Sequence, residues 1–87
     1  KIHTVSIGTL TSNMIHPREV FAPAIENNAS HVIIAHNHPS GDSDPSPEDL
    51  EVTKRIVKSG QVLGIPLMDH IIVAKKSYYS FKASGLI

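Results

Sequence analysis

The chain has 87 residues, 40% of them hydrophobic, and its eight acids balance its eight Lys and Arg at pH 7. That length suits one small domain, residues 1–87, and excludes two, while zero net charge excludes a bulk electrostatic pull toward nucleic acid. The absence of cysteine excludes a disulfide scaffold and any thiolate metal site, and it permits a reducing compartment.

Residues 2 to 7 read as a strand ending at Gly8, and Thr9 to Asn13 as a loop. Pro17 suits the first turn of a helix, where its missing N–H is harmless. Val20, Phe21, Ala24 and Ile25 then fall at helical spacing, which predicts a helix from about 17 to 28 closed by Asn27-Asn28. His31-Val-Ile-Ile-Ala-His36 is a short β-branched apolar run, read as a strand buried on both faces. Residues 37 to 45 are rich in Pro, Gly, Ser and Asp and are expected to form a loop.

Ser46 is a good N-cap and Pro47 a good first helical residue. Leu50, Thr53, Ile56 and Val57 repeat every three or four residues, so a second helix is expected to run to about Gly60. Gly64 and Pro66 punctuate a turn, residues 67 to 74 read as a buried strand, and 77 to 81 as a last, more exposed one. The order strand, helix, strand, helix, strand, strand implies a two- or three-layer α/β domain with a mixed sheet. No apolar run of membrane length and no signal peptide is visible, so no membrane partner is expected.

The chemistry concentrates between residues 36 and 49. His36 and His38 are one residue apart, and alternate residues of an extended segment point to one side. Pro39 turns the chain away, and the loop can return the start of the next helix to the same place. Asp49 lies in the first turn of that helix, where the dipole favours its ionised form. Two imidazoles and a carboxylate suit zinc and leave a position for water. Zinc would lower the pKa of that water and polarise a bound carbonyl. Ser46, one turn from Asp49, could donate a hydrogen bond to a developing oxyanion.

Five of the eight acids lie between residues 42 and 51, which carry no Lys or Arg, so the surroundings attract a cation. Each part also has a local reading. Ser46-x-x-Asp49 alone is a helix-start signature resembling a capping box, and His-x-His alone is a weak metal signal.

Together these residues resemble the JAMM motif of the MPN (Jab) domains: His-x-His-Pro, six residues, Ser-x-x-Asp, with a distant upstream Glu. The chain is similar above all to the bacterial RadC family through Ser6-Ile7-Gly8-Thr9-Leu10, His16-Pro17-Arg18-Glu19-Val20-Phe21, His36 to Gly41 and Asp69-His70-Ile71-Ile72. The resemblance implies a cytidine-deaminase-like α/β fold, zinc held by His36, His38 and Asp49, Ser46 as oxyanion helper, and a Glu that activates water. It implies hydrolysis of a peptide or isopeptide bond in a peptide or protein substrate, and a bacterial cytoplasmic location.

The motif's Glu belongs to a strand upstream of the His-x-His. The chain, which lacks an initiator Met, is expected to be a piece that begins after that strand, with the general base outside it. Glu19 is read as a first-turn carboxylate favoured by the helix dipole.

A second reading is a non-catalytic, metal-stabilised interaction module linked to DNA repair, although neutral charge and an acidic site loop argue against direct DNA contact. A nucleobase deaminase is excluded, because it needs Pro-Cys-x-x-Cys. Asp69-His70 is read either as support for a metal ligand or as a structural pair, and Lys75-Lys76 before Tyr78-Tyr79 as a solvated strand end rather than a nucleic-acid contact. His3, His16 and His31 show no ligand spacing.

Overall fold

The computed structural model describes residues 16–38 and 41–87 in full and residues 2–7 as backbone. The end of the first strand at Gly8, the loop Thr9 to Asn13, the turn at Pro39 and the side chain of His3 lie outside the described residues. The elements are β1 (Ile2–Ile7), α1 (Pro17–Glu26), β2 (His31–Asn37), α2 (Pro47–Leu63), β3 (Leu67–Val73) and β4 (Tyr78–Ser80).

The four strands form one mixed sheet in sequence order. β1, β2 and β3 are parallel, and β4 returns antiparallel to β3. The two helices are the crossovers between parallel strands. They pack on each other as well as on β2 and β3. This places both on one side of the sheet and makes the domain a two-layer α/β fold.

Their apolar faces meet the sheet in a core of Val20, Phe21, Ala24, Ala29, Val32, Ile34, Val52, Ile56 and Leu67. Each fully buried Val or Ile there contributes on the order of 1.5–3 kcal/mol. β2 was expected to be buried on both faces. Instead it alternates: Val32, Ile34 and His36 are buried, while His31, Ile33 and Ala35 are half-buried. The reason is that the helices cover one face of the sheet.

Both helix ends differ from expectation. α1 stops at Glu26, because Asn27 caps it and Asn28 takes a left-handed conformation at φ 53°. α2 passes Gly60 and ends at Leu63, with Gly64 as a left-handed cap at φ 73°. Gly60 serves packing instead of termination: a Cβ there would lie 2.6 Å from the carbonyl oxygen of Ile65. Among the described residues no helix is long and apolar enough to cross a membrane.

β2 and β3 pair with an irregularity. Val32 lies opposite Leu67, but Ile33 lies opposite Asp69, so one residue is skipped. Since a shift of one residue exchanges the two faces of a strand, His70 and Ile72 turn to the helix side. Both are fully buried there, and Asp69 stays half-buried.

Candidate metal centre

The carboxyl ends of parallel strands and the amino ends of the following helices meet at one edge of an α/β sheet, where such folds place their ligands. Here that edge joins the end of β2 to the start of α2. The helix-facing row Val32, Ile34, His36 continues to His38, whose N–H donates to the Val73 carbonyl at 2.9 Å and extends the β2–β3 pairing past the strand. The loop then returns to Ser46. Ser43 accepts a 2.9 Å hydrogen bond from the Ser77 hydroxyl, which ties the loop to the β3–β4 turn.

Local sequence fixes the helix start. The Asp49 N–H donates to the Ser46 hydroxyl at 3.1 Å, and the Ser46 N–H donates to Asp49 Oδ2 at 2.8 Å. This reciprocal pair is the capping box expected from the sequence. It also aims the Asp49 carboxylate back over the end of β2.

His36, His38 and Asp49 converge there. Each offers one ligand atom, and these atoms lie within 4.8 Å of one another. Asp49 Oδ1 is 3.4 Å from His36 Nδ1, and Oδ2 is 3.2 Å from His38 Nε2. His36 and Asp49 are buried, and His38 is 17% exposed, so the group is open to solvent on the His38 side.

Hydrogen bonding settles which nitrogen of His38 faces the centre. Nδ1 lies 2.9 Å from the Asp42 carbonyl oxygen, which can only accept. Nδ1 therefore carries the proton. In the neutral ring Nε2 then presents a lone pair to a carboxylate oxygen 3.2 Å away. The contact is favourable when a proton on Nε2 makes an ion pair with the carboxylate or when a metal ion lies between the two atoms. An imidazole that donates its far N–H to a backbone carbonyl is oriented as a metal-ligating imidazole is. The donor set thus fits a metal ion.

Ser46 is half-buried at the cap of α2, one turn from the carboxylate. Glu19 and Glu26 are exposed on α1, and among the described residues the ligand group contains only His36, His38 and Asp49. Asp69 and His70 separate in role. Asp69 accepts from the His70 N–H at 2.7 Å, the Ser80 hydroxyl at 2.6 Å and the Lys82 N–H at 3.0 Å, so it organises the turn after β4.

His70 lies between rings, 4.6 Å from Phe81 and 5.9 Å from His36 by centroids. Burial and then the charge of His36 push its pKa down to about 4, against a smaller upward pull from Asp49 and Asp69. Its Nδ1 is 2.7 Å from the Thr53 hydroxyl, a contact invisible in the sequence. The one signal was that Thr53 follows Asp49 by one helical turn.

His16 caps α1, His31 lies beside Ser30 at 3.0 Å, and Lys75, Lys76 and Tyr78 are exposed at the hairpin. An apolar groove of about 420 Å³ between α1 and α2, lined by Phe21, Ile25, Val62 and Leu63 among others, shares no residue with the ligand group.

A two-layer α/β sheet with two imidazoles and a carboxylate gathered at a strand end defines a small domain built around a possible metal site. A family model described as a RadC-like JAB domain matches residues 1–86. A UPF0758 protein of Symbiobacterium thermophilum is 52% identical over 86 residues, covering 99% of this chain and 37% of that protein. One from Trichlorobacter lovleyi is 53% identical over 83 residues, covering 95% and 36%. One from Clostridioides difficile is 52% identical over 83 residues, covering 95% and 35%. The chain belongs to the RadC-like JAB domain family, and it spans little more than a third of the length of these relatives.

Proposed function

We propose that the chain is the metal-binding part of a JAMM-type zinc metallohydrolase that cleaves a peptide or isopeptide bond. The observation that carries this reading is the convergence of His36, His38 and Asp49, whose ligand atoms lie within 4.8 Å of one another, with His38 Nδ1 held by the Asp42 carbonyl so that Nε2 faces Asp49. His36, His38 and Asp49 would hold the ion. When bound, zinc supplies a Lewis acid and a water made acidic enough to react near neutral pH.

The chain's own residues have separate tasks. Asp49 lies in the first turn of α2, its carboxylate held by the Ser46 N–H of the capping box and aimed at the two imidazoles. Asp42, through its carbonyl, keeps the His38 tautomer that leaves Nε2 free to bind. Ser46 uses an oxygen lone pair on the Asp49 N–H, so its hydroxyl hydrogen remains available to an oxyanion that develops beside the centre. Asp42, Asp44 and Glu48 are exposed around the mouth and favour a cation over a phosphate.

The test is cleavage by the full-length protein of a panel of peptide and isopeptide substrates. Hydrolysis that a chelator abolishes, zinc restores and Ser46→Ala slows by about 10²–10³ is expected. Binding of protein or DNA partners that is unchanged by chelator, with no cleavage across the panel, would favour the interaction-module reading instead.

A further inference from the structure

His70 is the most deeply buried titratable side chain whose place in the centre is still unassigned, at 0% exposure. It is outside the convergent ligand group found among the described residues, which is His36, His38 and Asp49. Yet it adjoins both ligand-bearing elements. One ring face lies over His36, with centroids 5.9 Å apart and planes at 27°. The other face stacks on Phe81 at 4.6 Å and 5°. One ring edge reaches Thr53 Oγ1 at 2.7 Å, and Thr53 Oγ1 in turn reaches the Asp49 carbonyl at 2.7 Å.

The Asp49 carbonyl only accepts, so the single hydroxyl hydrogen of Thr53 goes to it. The Thr53–His70 bond must then be donated by His70 Nδ1. That makes Nδ1–H the tautomer. It leaves Nε2 as a bare acceptor, and this atom is buried with no hydrogen-bond partner among the described residues. Burying such an atom costs its hydration with nothing gained in return. A phenyl ring would fill the slot without that cost, so packing alone does not explain an imidazole there. The hydrogen bond to Thr53 does. The skipped residue between Leu67 and Asp69 is what turns His70 onto this face, opposite Ile34 and one step from His36 along β2.

We propose that His70 and Thr53 form a strut that sets the separation and orientation of Asp49 and His36, and thereby the metal affinity of the centre. His70 is a positioning residue: it acts on the metal only through the Asp49 backbone and the His36 ring. This inference rests on the metal-binding reading given above and adds two residues to it.

The experiment has two arms on the full-length protein. In the metal-free protein at neutral pH, imidazole nitrogen NMR should show His70 protonated at Nδ1 and bare at Nε2. The opposite tautomer overturns the strut whether or not metal binds. In the second arm, zinc affinity is measured by competition with a chromophoric chelator.

His70→Phe keeps the ring stack, and Thr53→Val keeps the volume. Each should weaken zinc about ten- to a hundred-fold, while the metal-free melting temperature of His70→Phe does not fall. His70→Asn, whose amide N–H can stand in for Nδ1–H, and Thr53→Ser should keep zinc within about threefold of the unmodified protein. Full zinc affinity in both His70→Phe and Thr53→Val overturns the proposal. A melting temperature lowered in step with affinity, without rescue by His70→Asn or Thr53→Ser, overturns it too, since that is the pattern of a merely structural pair. Failure of the unmodified protein to bind zinc counts against the metal centre itself, and it is seen before any variant is made.

Discussion

The two helices start with the same local pattern and use it differently. α1 begins His16-Pro17-Arg18-Glu19 and α2 begins Ser46-Pro47-Glu48-Asp49: a cap, a proline at the first helical position, and an acid at the third. In α1 the His16 ring accepts the Arg18 N–H at 3.2 Å, and Glu19 points into solvent. In α2 the cap is reciprocal, and Asp49 is 1% exposed beneath two imidazoles. Capping explains both sequences equally well. What separates them is what lies over the carboxylate: open solvent over α1, the end of β2 over α2. A first-turn acid becomes a metal-ligand candidate only when the fold brings other donors to it.

That contrast can be broken at several points. The largest effect is expected from His36→Ala with His38→Ala, which should abolish stoichiometric zinc by metal analysis; zinc retained in the double variant would mean that the ion binds elsewhere.

His70 should make stability pH-dependent. Its folded-state pKa is lowered to about 4 from 6.5. The unfolded chain therefore takes up this proton first as pH falls through 6.5. Stability is lost between about pH 6.5 and pH 4 and levels off below. The difference between the metal-free protein and His70→Phe over that window should approach about 3 kcal/mol, read by urea unfolding at a series of pH values. Parallel pH profiles for the two proteins would contradict a buried neutral His70.

Ser46→Ala should cost about 1 kcal/mol through loss of the cap, visible as a lower melting temperature. Glu19→Gln should be the smallest change, within about 0.5 kcal/mol, and should leave zinc affinity unchanged. If Glu19→Gln weakened zinc as much as a ligand variant, the contrast between the two helix starts would be lost.

Much of this was legible in the chain. The six elements follow from apolar periodicity and from Pro and Gly positions, and the capping box from Ser46-x-x-Asp49. The convergence of His36 and His38 follows from the two-residue repeat of an extended strand. Three features were not. α2 runs past Gly60 because that glycine accommodates the Ile65 carbonyl, and a glycine needed for packing looks like one that ends a helix. Among the described residues, helices cover β2 on one side only, and an apolar hexapeptide does not say how many layers will cover it.

His70 was the hardest to place. In a regular pairing Asp69 would share the face of Ile34 and His70 would lie on the other; the skipped residue exchanges them. Register depends on the partner strand, so Asp69-His70 alone could not reveal which of the two turns inward.

Asp49, unlike Glu19, lies in a group of side chains that could hold a metal ion. Zinc titration by calorimetry of the full-length protein and of Asp49→Asn tests it most directly, because Asn keeps the side-chain shape and removes the charge. One zinc per chain is expected in the unmodified protein, and a loss greater than about a hundredfold in affinity for the variant, beyond what a residue outside the ligand set would produce. Equal affinity in the two proteins, or no zinc bound by the unmodified one, would contradict it.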